Sequence, residues 1–140
     1  MIYLLDTSAC VDYMRRSNSV LRRWLTTDVI ESIRLCSVVR AELLLGILKL
    51  PTERNRQNLA ELLALYESFP FDDAAARVYA DIRDDLERKG QIIGPYDMQI
   101  AAIAVTHGAT LITGNQEEFQ RVPALKCLSL EEIATGKTNP

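Results

Sequence analysis

The sequence predicts an α/β protein with helices packed on a parallel sheet. Short apolar runs of strand length alternate along the chain with longer segments of helical period. The first of these runs, residues 2–5, is continuously apolar, the pattern of a strand at the centre of a parallel sheet. At 140 residues, with 48% hydrophobic and 25% charged residues, the chain has the size and composition of one globular domain with a substantial core. No linker, internal repeat or low-complexity block divides it, so one domain over residues 1–134 and a flexible tail over 135–140 are expected.

Each element has a local reason. Residues 2–5, Ile-Tyr-Leu-Leu, form the first strand, and Thr7 or Ser8 caps a short helix running toward Met14. Asn18 or Ser19 starts a second helix, with Val20, Leu21, Trp24 and Leu25 on one face. Residues 33–38 form the second strand. The helix over 39–50 is apolar around most of its circumference, and with residues 59–66 it carries more apolar surface than a small core needs. Core packing is the default reading, and a groove for a partner helix would use the same residues. Gly46 within the 39–50 helix costs about 1 kcal/mol relative to Ala, which predicts close packing against another backbone.

Thr52 caps a helix over 53–68, with Leu59, Leu62, Leu63 and Tyr66 at helical spacing. Phe69-Pro-Phe71 reads as a short edge strand, where proline is tolerated. Asp72 and Asp73 suit the N-terminus of a long helix through Lys89, which Gly90 ends. Pro95 opens a helix whose Ala/Ile-rich body predicts burial, and Gly108 stops it. Strands over 109–113 and 126–130 follow, with a short helix or turn at 115–119 between them and a last turn at 131–134.

Composition excludes several functions. No apolar run approaches the roughly 20 residues that a membrane helix requires, and no basic leader precedes a signal-type apolar run. Cys10, Cys36 and Cys127 are odd in number and widely spaced, which predicts reduced thiols in a cytoplasmic protein. His107 is the one histidine, so a zinc centre is not expected. The net charge of −3 does not advertise nucleic-acid binding. Arg15, Arg16, Arg22 and Arg23 nevertheless form a local basic cluster suited to RNA phosphates.

Four carboxylates are not required by the local pattern. Asp6 follows an apolar strand directly and, by itself, reads equally well as a helix cap. Glu42 interrupts an almost wholly apolar helix, where an unpaired charge costs several kcal/mol, so it needs either a partner such as Arg40 or Arg83 or a function. Asp97 opens a buried helix, and Glu118, with Glu117 beside it, follows a strand. In a doubly wound sheet these positions converge on the carboxyl edge. Converging carboxylates remain ionised together when a cation neutralises them, and hard oxygen ligands select Mg²⁺ or Mn²⁺. That chemistry suits phosphodiester hydrolysis.

The segments Leu4-Leu-Asp-Thr-Ser8, Ser37-Val-Val-Arg-Ala-Glu-Leu-Leu-Leu-Gly46, Gly94-Pro-Tyr-Asp-Met-Gln-Ile-Ala101 and Leu111-Ile-Thr-Gly-Asn115, with Glu118-Phe119, together resemble a PIN-domain ribonuclease. More narrowly, they resemble the VapC toxins of bacterial type II toxin–antitoxin pairs. The resemblance covers residues 2 to about 130. It implies a three-layer α/β/α sandwich around a mostly parallel sheet of four or five strands. It also implies Mg²⁺-dependent endonucleolytic cleavage of structured RNA, with Mn²⁺ able to substitute and tRNA favoured, and hence arrest of translation.

Asp6 and Asp97 match the principal metal-binding aspartates, Glu42 matches an acid that completes coordination or orients water, and Glu118 matches the fourth acid. Thr7, Ser8, Thr113 and Asn115 match polar positions behind the ligands. A homodimer and a VapB-type antitoxin with a DNA-binding domain are the implied partners. Two other readings compete: a degenerate domain that binds RNA or protein without cleaving, and an aspartyl-nucleophile phosphatase. The phosphatase pattern places a second Asp two residues after the first, where this chain has Ser8.

Overall fold

Five short parallel strands, in the order β3-β2-β1-β4-β5, make the sheet of the computed structural model. The structure describes residues 1–136, with the side chains of residues 27 and 28 excepted. The strands are β1 (Tyr3–Leu5), β2 (Ile33–Cys36), β3 (Ser68–Phe69), β4 (Thr110–Thr113) and β5 (Lys126–Ser129). Leu4, Leu5, Leu35, Leu111 and Ile112 are fully buried, so adjacent apolar residues of β1 and β4 are covered on both faces of the sheet. The chain winds outward from β1 through β2 to β3, then returns to the other side of β1 for β4 and β5. The strand order therefore reverses beside β1, and the crevice between the ends of β1 and β4 is the switch point where such sheets bind ligands.

The helices are α1 (Thr7–Met14), α2 (Val20–Trp24), α3 (Thr27–Ile30), α4 (Ser37–Lys49), α5 (Glu53–Leu65), α6 (Asp73–Arg88), α7 (Pro95–Thr106), α8 (Gln116–Phe119) and α9 (Leu130–Ala134). Side-chain oxygens of Asp6, Ser19, Thr52, Asp72 and Ser129 cap five of them by accepting backbone amides. The expected burial of the body of α7 is observed: Ile100, Ala101, Ala102, Ile103 and Ala104 are all buried. Among the described residues no helix is long and apolar enough to cross a membrane.

Several expectations are corrected. Asp6 caps the first helix, and neither Thr7 nor Ser8 does, because the carboxylate reaches back to the Ala9 amide. Within α4 only Val39 and Leu43 are buried, whereas Leu44, Leu45 and Leu48 are exposed. The all-round apolar pattern thus marks outward-facing surface as well as core. Gly46 packs against no backbone, since a Cβ there would meet nothing within 4 Å. Asp12 is buried and accepts from Ser19 Oγ and the Val20 and Leu21 amides, which fixes the start of α2. Of the expected tail, Thr135 and Gly136 donate their amides to the end of α9, and the remainder lies outside the described residues.

Candidate active site

The site forms where β1 and β4 end side by side. Their register pairs Leu5 with Ile112, so the next residues, Asp6 and Thr113, emerge as neighbours at the switch point. Thr113 Oγ1 donates to Asp6 Oδ2. Asp6 Oδ1 accepts from Ser8 Oγ at 2.7 Å and from the Ala9 amide at 2.8 Å. Asp6 is only 4% exposed. Burial raises its carboxyl above the ordinary range, and these hydrogen bonds oppose the shift. All of its partners are neutral, so they orient the charge without cancelling it.

Ser8 links the strand ends a second time. Its Oγ accepts the Gly114 amide at 2.8 Å while donating to Asp6. A Cβ on Gly114 would stand 3.2 Å from Ser8 Oγ and 3.5 Å from Leu130 Cδ1. Glycine at this position keeps the β4 loop close to α1. The Asn115 amide closes the turn by donating to Thr113 Oγ1 at 2.8 Å.

The other acids arrive on three helices. Glu42 lies in the second turn of α4, where its Oε1 accepts from Thr7 Oγ1 at 3.0 Å. The ion pair to Arg40 or Arg83 weighed for Glu42 is not formed; Arg83 instead binds Glu87 and the Tyr79 hydroxyl. Asp97 lies in the first turn of α7, where the positive end of the helix favours an anion. Its carboxyl is nonetheless pushed up to about 6, first by burial and then by the charges of Glu118, Asp6 and Glu42. The four acids therefore share one electrostatic site. Glu118 faces Asp97, while Glu117 lines a separate cleft with Asn115 and Gln116.

Among the described residues, no lysine, arginine or histidine forms an ion pair with any of these four acids. Nor do three acidic, histidine or cysteine side chains stand together as a ready-made metal cage. The donor chemistry still fits a hard divalent cation: carboxylate oxygens without thiolate or imidazole, carrying mutual repulsion that such an ion would relieve.

The basic cluster divides. Arg16 is engaged by Asn58 and Glu61 of α5, and its backbone is left-handed with φ of 58°. Arg22 donates to the Tyr13 carbonyl at 2.6 Å and stacks on the Tyr13 ring. These two therefore make contacts within the fold. Arg23 is exposed, and Arg15 is exposed beside the site, lining a groove with Thr7, Glu42, Leu43 and Ile47. A second groove on the other side of Glu42 is lined by Val38, Leu45 and Tyr96. Tyr96, 62% exposed, was not singled out from sequence; its position next to Asp97 was the available signal.

The PIN domain family model matches residues 3–125. Over 127 residues the chain is 36% identical to ribonuclease VapC2 of Rickettsia felis, an alignment covering 89% of this chain and 95% of the relative. It is 32% identical over 127 residues to the tRNA(fMet)-specific endonuclease VapC of Salmonella typhimurium, covering 89% and 94%. Among solved structures, VapBC2 of Rickettsia felis bound to a fragment of promoter DNA superposes with a TM-score of 0.82 at 33% identity, covering 92% of this chain and 98% of that one. FitAcB of Neisseria gonorrhoeae superposes with a TM-score of 0.80 at 28% identity, covering 93% and 99%.

Proposed function

The chain belongs to the PIN-domain family, in its VapC branch, and from that premise we propose that it is a metal-dependent endoribonuclease toxin held in check by an antitoxin. The observation that carries the reading is the Asp97 carboxyl, pushed up to about 6 by burial and by three further acids from three other elements. Such an arrangement is costly for the fold and useful to a cation site.

Asp6, Asp97 and Glu118 would hold Mg²⁺ or Mn²⁺, with Glu42 completing the set or orienting the attacking water. Bound there, the ion supplies charge neutralisation and Lewis acidity at the scissile phosphate. Thr113 and Ser8 hold Asp6 in one orientation, and Thr7 does the same for Glu42. Asp97, pushed up to about 6, would have to give up its proton to serve as a ligand, so the site would favour a cation more as pH rises through 6. Arg15, at the rim, positions backbone phosphates on one side of the acids.

Structured RNA is the substrate class, and tRNA is favoured because the Salmonella relative is named for tRNA(fMet). The antitoxin partner is supported by the solved toxin–antitoxin complexes and by the surface of α4. The groove containing Glu42, Val11, Met14, Ile47 and Leu50 has a volume of about 440 Å³ and includes one of the four acids in its wall. An amphipathic helix laid there blocks the site. A homodimer and a cytoplasmic location complete the reading.

The test is incubation of the purified chain with total bacterial RNA and Mg²⁺ or Mn²⁺. Cleavage is expected, and it should stop with chelator and in Asp6→Ala and Asp97→Asn. Cleavage persisting in both variants would place the chemistry elsewhere.

A further inference from the structure

A polar cleft of about 390 Å³ lies between α8 and the start of α9, one residue beyond the hydroxyl that binds Asp6. Its volume is within the roughly 300–1,000 Å³ of small-molecule sites. Gly114 is the shared wall: its amide bonds Ser8 of the acid site, and it also lines the cleft. The acid site and the cleft therefore meet at this residue.

The lining selects a base over a phosphate. Neither lysine nor arginine lines it, whereas Glu117 and Glu131 do, one from each helix. Both are exposed carboxylates that repel the RNA backbone and accept N–H groups. Gln116 adds a fixed acceptor. Its Nε2 donates to Glu132 Oε1 at 2.6 Å, and Glu132 is itself held by the Ser129 hydroxyl, so the amide orientation is set and Oε1 remains open. Leu130, half-buried against Gly114, offers an apolar surface to the face of a ring.

We propose that this cleft is a nucleobase subsite reading an amino-bearing base, guanine first, next to the scissile phosphate. The proposal rests on the ribonuclease reading above. Guanine presents N1–H and N2–H₂ side by side to a single carboxylate, and cytosine and adenine each present one amino group. Uracil offers the carboxylates only its single N3–H, flanked by two carbonyl oxygens that they repel, and is disfavoured.

Two measurements decide it. In the first, a hairpin RNA with a randomised loop is cleaved with Mg²⁺, and the product ends of wild type, Glu117→Gln and Glu131→Gln are sequenced. Wild type should enrich guanine at one fixed position beside the cut, and at least one substitution should reduce that enrichment about tenfold while leaving the thermal melt unchanged. An unaltered base profile in both variants overturns the subsite while leaving the ribonuclease reading intact. The second measurement does not need cleavage: ¹⁵N spectra are titrated with GMP and with UMP. GMP should shift the Gly114, Asn115 and Gln116 amides more than UMP, and equal or absent shifts overturn the proposal even if no RNA is cut.

Discussion

The Thr113 hydroxyl donates a hydrogen bond to Asp6 across 107 residues of sequence, joining the ends of β4 and β1 under the acid site. Thr113→Val keeps the shape and removes that donor, leaving a buried carboxylate with less compensation for its desolvation. Cleavage and Mn²⁺ affinity should fall about 10–100-fold, the scale of losses behind metal ligands, and Thr113→Ser should restore most of both. A Thr113→Val enzyme as active as wild type would show that this bond does not position Asp6.

Thr7→Val tests Glu42 by the same logic. Its hydroxyl is the hydrogen-bond donor that the structure places on Glu42, at 3.0 Å. If Glu42 orients water, kcat should drop while KM stays within about twofold, because the lost contact matters only in the transition state. A rise in KM alone would instead assign Glu42 to RNA binding.

The pH dependence of stability follows from Asp97. Its ordinary value is 3.8 and its value in the fold is about 6, so between the two the folded chain holds a proton that the unfolded chain releases. Stability contributed by this group is therefore present below 3.8 and lost as pH rises through 6. Asp97→Asn mimics the protonated form. Its melting temperature should match wild type near pH 4 and exceed it at pH 7.5, and Mg²⁺ should narrow the gap. A difference independent of pH would remove the basis for the assignment.

The arginines separate by salt dependence. Arg15→Ala should weaken RNA binding and lower the slope of log affinity against log salt by about one. Arg16→Ala, which releases Asn58 and Glu61, should lower the melting temperature with little change in that slope. Equal slopes for wild type and Arg15→Ala would remove Arg15 from the RNA path.

Asp12→Ala removes three hydrogen bonds from a buried carboxylate that caps α2. Urea denaturation should show a loss of about 2–3 kcal/mol, the range for bonds to a charged group. A loss below about 0.5 kcal/mol would contradict the capping role.

Much of this was legible before any coordinates. Five strands and most of the helices between them were readable because short, largely apolar runs broken by Gly, Pro and Asp leave little freedom in a parallel sheet. By contrast, α3 was not expected, and β3 lies at Ser68–Phe69 where a strand over 69–71 was expected. The four acids stood out because each broke a local pattern. The exposure of Leu44, Leu45 and Leu48 was not readable, since an apolar side chain carries no mark of whether it faces core or partner. The partners of Asp12 and Arg22 were not readable for a related reason: they lie in α2 and α1, and the pairing exists only once those helices fold together. Glu117 and Glu118 were separable only in three dimensions, where a rotation of about 100° per helical residue turns one to Asp97 and the other to the neighbouring cleft.

The central claim is that Asp6, Glu42, Asp97 and Glu118 together hold a divalent cation. Calorimetric titration with Mn²⁺ at pH 6, repeated in buffers of different ionisation enthalpy, tests it most directly by counting released protons. Wild type should bind Mn²⁺ and release a substantial fraction of a proton, while Asp97→Asn should bind at least about tenfold more weakly and release almost none. Equal affinity and equal proton release in the two proteins would contradict the claim.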